Sequence, residues 1–288
     1  MNKENELAVS PIWKLLLKYA IPGIIAMLVM SLLAVVDSIF VANILDVGPL
    51  AISAIGATMP VTRIILAFSM LIGFGASASI SVYMGRGDKE GAESVLGNML
   101  SVSLIVSVIL TVVGLCFTEK LLTLFGASEA IMPYAKKYIV IILLGTVFNL
   151  TGFSMNSAAR ADGSPAFAAI AMAVGCVLNI ILDPIFIFAL DMGIEGAAVG
   201  TVMSQAVILF LTMYYFLSGK SNLKITLQTI KLKKKTVWGL TILGASTFIM
   251  QMADSIIQAI MNNQLRAFGG DIAIGAYTII ARLDRHNG

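Results

Sequence analysis

The sequence predicts an all-α integral membrane protein. Of its 288 residues, 58% are hydrophobic and only 12% are charged, whereas about a quarter of the residues in a soluble domain are charged. The mean hydropathy is +0.94. Apolar runs of the roughly 20 residues that cross a bilayer as a helix recur along the chain. Because these runs are long rather than short and alternating, they indicate helices and exclude the strands of a membrane barrel.

Seven complete helices are predicted from the charge-free runs and the turn residues between them. Pro11, Pro133 and Pro165 each stand where proline suits the first turn of a helix. An eighth helix begins near Ile272. The predicted spans are 13–45, 50–83, 92–117, 133–159, 165–190, 194–217 and 236–268.

The basic residues predict the orientation, because short cytoplasmic loops collect lysine and arginine. A cytoplasmic N-terminus assigns most of the basic side chains, including those of the last linker, to the inside. The opposite side receives Lys120, Lys136, Lys137 and Arg266. The expected location is the plasma membrane, with several spans. The net charge of +3 arises from these loops and does not indicate nucleic-acid binding.

A restart in the sequence predicts two related halves. Shifting the chain by 222 places aligns residues 51–54 with residues 273–276. Six helices, a basic linker and a second first helix are the pattern of a transporter with two parallel lobes of six helices. The predicted domains are a six-helix N-terminal lobe at 1–217, a cytoplasmic linker at 218–235, and the start of the C-terminal lobe at 236–288. The second half would be short, so the chain is interpreted as truncated, and the single histidine, His286, as part of its polar tail.

Two acids are predicted at the same depth in the membrane. Asp37 is the only charged residue between positions 20 and 44; it lies nine residues before Asp46, which marks the outer end of the first helix, and Asp183 lies eight before the matching acid after the fifth. At 1.5 Å per residue, both lie about 12 to 14 Å below that boundary. Asn179 is one turn from Asp183 on the same helix face. Thr201 lies about 10 Å down the sixth helix.

These four residues could bind a proton or a small hard cation. Burial beside a second acid favours the neutral form of a carboxyl group, and a hard cation such as Na⁺ prefers oxygen ligands. Intramembrane acids are functional candidates by default. The alternative is that the four side chains hold helices together or face a water-filled crevice. Pro22 removes one hydrogen bond from the first helix and bends it, either as a hinge or as a fixed kink.

Several segments resemble the multidrug and toxic compound extrusion (MATE) transporters, particularly the bacterial branch. The resemblance extends over residues 10–283. It rests on Ile21-Pro22, Val36-Asp37-Ser38-Ile39-Phe40-Val41, Gly85-Arg86-Gly87-Asp88, Ala159-Arg160-Ala161-Asp162-Gly163, Leu178-Asn179-Ile180-Ile181-Leu182-Asp183-Pro184-Ile185-Phe186-Ile187-Phe188 and Gly196-Ala197-Ala198-Val199-Gly200-Thr201.

The resemblance implies a secondary antiporter that exports cationic amphipathic drugs in exchange for H⁺ or Na⁺ and contributes to antibiotic resistance. It implies no enzyme activity and no cofactor, with organic cations and the lipid bilayer as partners and a monomer at full length. By resemblance, Asp37, Asn179, Asp183 and Thr201 form the coupling site. Pro22 lets the first helix bend, and Asn156 lines the cavity of the same lobe.

Two other functions are weighed against this expectation. A lipid-linked saccharide flippase of a related superfamily would carry basic residues in its cavity, whereas the buried charges here are mainly acidic. A membrane prenyltransferase would use Asn179 and Asp183 in a Mg²⁺-diphosphate motif. The second acid-rich motif of such an enzyme is missing from the sequence, and Asp183 is predicted near the outer side. A purely structural membrane protein is disfavoured by the matched depth of the acids.

Overall fold

The computed structural model describes Trp13, residues 36–44 and residues 47–284, and within them the chain is helical with short connections and no β-strand. The all-α prediction is confirmed. Most of the predicted first helix, including Pro22, lies outside the described residues, as does His286. The helices are α1 (36–42), α2 (Gly48–Gly85), α3 (Lys89–Cys116), α4 (Thr118–Leu124), α5 (Met132–Leu144), α6 (Thr146–Ala161), α7 (Pro165–Pro184), α8 (Gly193–Leu217) and α9 (Lys234–Asp284).

Five of the described helices are long and apolar enough to cross a membrane, and the bent pair α5 and α6 makes a sixth candidate. The spans predicted after the first helix are therefore found, with one difference. The predicted span 133–159 is broken at Gly145, where α5 and α6 meet at 50°. A Cβ atom at Gly145 would overlap the side chain of Val202 in α8. The bare backbone thus lets α8 approach at the bend, and glycine is a common site of such bends.

The long helix α9 contains a second break. Gly270 has φ 68° and ψ −166°, a conformation that residues other than glycine rarely adopt. The break separates the predicted seventh helix from the predicted start of the eighth. The short helix α4 was not predicted, because its seven residues lie between two longer apolar runs and carry no span signal of their own.

Helix α2 lies at the centre of the fold and contributes to two apolar clusters, one towards each of its ends. The cluster near its N-terminal end also draws on α4, α5 and α8, and the other draws on α3, α6 and α8. Their largest fully buried side chains are Leu122, Ile131, Ile139, Leu143 and Ile187 in the first cluster, and Ile72, Ile80, Leu96, Met99, Leu150, Met155 and Leu223 in the second.

Helix α9 packs along α2 and completes its hydrogen bonding. Pro60 lacks an N–H, so the carbonyl oxygen of Gly56, four residues earlier, loses its usual helical donor. The buried Asn262 of α9 replaces that donor: its Nδ2 lies 2.9 Å from Gly56 O and 3.2 Å from Phe125 O. Ser255 Oγ donates to Pro60 O at 2.9 Å. Because a membrane interior offers no water to these carbonyls, the contacts hold α9 against α2.

Candidate functional site

The candidate site begins with two side chains of α7. Asn179 and Asp183 are one turn apart, and both are buried, Asp183 with 0% of its surface exposed. Asn179 Nδ2 donates to Asp183 Oδ1 at 2.8 Å. The other carboxyl oxygen, Oδ2, is buried without a hydrogen-bond partner among the described residues. One oxygen of the acid is therefore fixed, and the second remains available.

Asp37 reaches this acid from α1. The ring of Phe40 packs edge-on against Phe188 with the centroids 6.3 Å apart, which brings α1 against the end of α7. The Asp37 and Asp183 side chains are close enough for the two carboxyl groups to interact electrostatically. Two carboxylates cannot share a hydrogen bond while both are ionised, because an ionised carboxylate is only an acceptor. The geometry thus suits a pair of acids that holds a proton.

The end of α7 is irregular where it supports this pair. Residues Ile185–Ala189 form a π-helical turn, and Leu190 N donates to Ile185 O at 2.9 Å. Pro184 at the start of this turn has no N–H and so frees a carbonyl of the preceding turn. Single π-helical turns occur often at functional sites. The turn continues α7 to the end of its span and directs Phe188 towards α1.

Two glycines of α8 allow α7 and the turn that follows it to approach closely. A Cβ atom at Gly200 would overlap Asp183 Oδ1, and one at Gly196 would overlap the backbone of Phe186. The acid therefore lies directly against the backbone of α8. The spacing of Gly196 and Gly200 by four residues indicates close helix packing, but it does not predict the particular contact of Gly200 with the acid. That contact depends on which face of α8 meets α7.

The hydrogen bonds of Thr201 and Asn156 go to residues outside this group of three. Thr201 is half-buried, and its hydroxyl donates to Ala197 O of its own helix at 2.9 Å. Asn156 is 1% exposed; its Nδ2 donates to Ala168 O at 2.8 Å, and its Oδ1 accepts from the Arg160 guanidinium at 2.5 Å. The structure thus joins Asp37, Asn179 and Asp183, while the polar atoms of Asn156 connect α6 to α7. The cavity role of Asn156 and the coupling role of Thr201 stay predictions.

A family model, MatE, matches residues 22–185 of the chain. The chain is 31% identical over 278 residues to the multidrug export protein MepA of Staphylococcus haemolyticus, a match that covers 95% of the chain and 60% of the relative. It is 27% identical over 274 residues to MepA of Staphylococcus aureus, with the same coverage. The chain thus spans about 60% of the length of these relatives.

Solved structures give the same picture. The MATE multidrug transporter DinF-BH superposes with a TM-score of 0.89 at 34% identity, covering 95% of this chain and 61% of that one. An inward-facing MATE transporter of the MOP superfamily superposes with a TM-score of 0.82 at 29% identity, covering 88% of this chain and 57% of that one. A MOP superfamily transporter from Pyrococcus furiosus, described as having a binding pocket of reverse polarity, gives a TM-score of 0.86 at 28% identity, covering 99% and 63% of the two chains.

Proposed function

The chain belongs to the MatE family of multidrug efflux transporters, and from this premise we propose that the complete protein exports cationic amphipathic compounds in exchange for protons. Members of this family are transporters rather than enzymes. The proposed location is the plasma membrane, with a cytoplasmic N-terminus and a monomeric state. The observation that carries the proposal is the acid pair of Asp37 and Asp183, held on different helices of a membrane-spanning bundle.

The surroundings of the pair favour a proton over Na⁺ as the coupling ion. A Na⁺ ion needs several oxygen ligands; in the part of the chain that the structure describes, Asp183 Oδ1 instead accepts from the amide nitrogen of Asn179 and lies against the bare backbone of Gly200. The hydroxyl of Thr201 is directed to its own helix. A proton needs only the two carboxyl groups, and it removes the repulsion between them.

Proton exchange at the pair would change both the charge and the shape of the lobe. With a proton bound, the carboxyl groups attract each other and hold α1 against α7. When it leaves, two negative charges face each other in a low-dielectric site, where their repulsion is strong, and the site attracts an organic cation instead. A proton entering from outside would displace that cation, so protonation and substrate binding exclude each other, as exchange requires.

The two-lobe organisation also belongs to the proposal. Across the contact of α2 with the end of α9, a Cβ at Gly56 would overlap Thr278, and one at Gly275 would approach Ser53 Oγ. Both pairs are separated by 222 positions, the offset that aligns the two halves of the sequence. Equivalent positions contact each other where repeats meet around a two-fold axis, so this contact supports a pair of parallel six-helix lobes.

Collapsing each ion gradient in turn is the experiment that tests the proposal. We expect cells expressing the complete gene to expel a cationic dye, and expulsion to stop when a protonophore collapses the proton gradient. A Na⁺ ionophore that leaves the proton gradient intact should have little effect. Cells with an empty vector provide the background rate. Efflux that survives the protonophore but stops with the Na⁺ ionophore would contradict proton coupling.

A further inference from the structure

Residues 218–235, which connect α8 to α9 and include the first two residues of α9, carry six lysines and no acid. We call residues 218–235 the basic strap. Its lysines are all exposed, and by the proposed topology they lie at the cytoplasmic surface. The lysines are Lys220, Lys224, Lys231, Lys233, Lys234 and Lys235.

The second half of the strap is fastened to α3. The side chain of Asn98 is buried there: its Nδ2 lies 3.1 Å from Thr229 O and 3.2 Å from Lys231 O, and its Oδ1 accepts from Lys233 N at 2.6 Å. Ser101 Oγ donates to Ile230 O at 2.7 Å. One amide thus binds three backbone groups in succession and fixes the path of this segment.

The first half is fastened to the turn between α6 and α7. The buried Asp162 accepts through Oδ2 from the Tyr215 hydroxyl at 2.6 Å, from Ser221 Oγ at 2.8 Å and from Asn222 N at 3.1 Å. Leu223, the next residue, is fully buried. Both ends of the strap are therefore held, although nothing in the sequence of the linker itself predicts a fixed path.

The anchored strap turns apolar side chains outwards between its lysines. Leu227 is 85% exposed and Leu232 is 52% exposed, and Trp238, one turn into α9, is 66% exposed. Lysine attracts the negative surface of a cytoplasmic leaflet, while tryptophan and leucine favour the boundary between headgroups and acyl chains. The charge of the lysines alone is enough to orient the helices in the membrane. This surface has, in addition, a fixed backbone and apolar side chains among the lysines.

We propose that the basic strap binds the phosphate headgroups of anionic phospholipids in the cytoplasmic leaflet, with Leu227, Leu232 and Trp238 at the boundary of the acyl chains. The proposal rests on the cytoplasmic placement of the strap and is independent of which ion drives transport. The strap is bonded to α3 and continues directly into α9. A bound leaflet would therefore hold the start of α9 in place relative to the first six-helix lobe.

Trypsin digestion in nanodiscs tests the proposal, because trypsin cleaves after lysine and both faces of a nanodisc are accessible. The complete protein would be placed in phosphatidylcholine alone or with added phosphatidylglycerol. We expect cleavage in the basic strap to be about tenfold slower with phosphatidylglycerol, since several lysines act together at a charged surface. Cleavage at Lys120 and Lys136, on the opposite side, should be unchanged. Inorganic phosphate added to the neutral nanodiscs should give no protection. This control distinguishes binding to a lipid surface from binding of free phosphate.

Two variants separate an anchored surface from a simple charge effect. Lys231→Gln with Lys233→Gln should lose most of the protection at the remaining strap lysines, whereas Lys120→Gln with Lys137→Gln should keep it. Asn98→Ala leaves all six lysines but releases the backbone, and it should also lose protection. Equal strap cleavage in the two lipids would overturn the proposal. Protection from trypsin by inorganic phosphate in neutral nanodiscs would also overturn it. Protection that persists in Asn98→Ala would do the same. Dye efflux is not part of the readout, so failure here leaves the antiport proposal standing.

Discussion

Asp183→Asn is expected to reduce proton-driven efflux by the complete protein to the background of cells that lack it. The substitution preserves the size of the side chain, and the amide can still bond with Asn179, which donates to Asp183 Oδ1 at 2.8 Å. The variant can no longer exchange a proton at this position, however, and Asp37 loses the second carboxyl group of the pair. Asp37→Asn should have the same effect. Dye efflux driven by an imposed pH gradient in membrane vesicles would measure it.

Asp191→Asn provides the matched control for these variants. Asp191 is an exposed acid eight residues further along the chain, and its φ of 52° lies in the left-handed region that asparagine tolerates. We expect this variant to export at the wild-type rate. If Asp183→Asn also exported at the wild-type rate, in amounts of protein equal to the control, the acid pair would have no part in coupling.

Gly200→Ala is expected to cause the second largest loss. An added Cβ atom would overlap Asp183 Oδ1, so the carboxyl group would have to move towards Asp37 or give up its bond with Asn179. Overpacking of this kind costs about 1 to 3 kcal/mol. We therefore expect slower efflux and a changed dependence of efflux on pH, since the displaced group is the one proposed to exchange the proton. The measurement is the efflux rate of reconstituted protein across a series of pH values.

Gly152→Ala is the matched control for Gly200→Ala. Gly152 lies within α6, and a Cβ atom there would come no closer than 3.4 Å to Leu209, which is ordinary van der Waals contact. Its pH profile should match that of the wild type. In an Asp183→Asn background, where efflux is lost, Gly200→Ala should produce no further change in the pH dependence of dye binding. A change of the same size in both backgrounds would show that Gly200 acts on folding rather than through the acid.

Much of the bundle could be predicted because its driving force is hydropathy. Apolar runs of sufficient length show the spans without any tertiary information, and the matched depth of Asp37 and Asp183 follows from counting residues along two helices. The one-turn spacing of Asn179 and Asp183 likewise follows from helix geometry. Proximity in the structure supports the grouping of these three residues.

The unpredicted features depend on contacts between residues far apart in the chain. The bend at Gly145 is permitted by the approach of Val202, and the Gly56 carbonyl freed by Pro60 finds its donor in Asn262. The path of the basic strap is set by Asn98, more than a hundred positions earlier. No local sequence pattern predicts these distant contacts, because an asparagine in an apolar helix indicates a polar contact but not the residue that makes it.

The most direct test of the account is the release of protons when substrate binds. The complete protein, purified in detergent in a weakly buffered solution, would be mixed with a cationic compound while the pH is recorded. We expect the release of about one proton for each compound bound, because the bound cation takes the place of the proton that the two carboxyl groups hold. Release should be absent from both Asp37→Asn and Asp183→Asn. Binding without proton release, or binding that Na⁺ rather than pH weakens, would contradict the account.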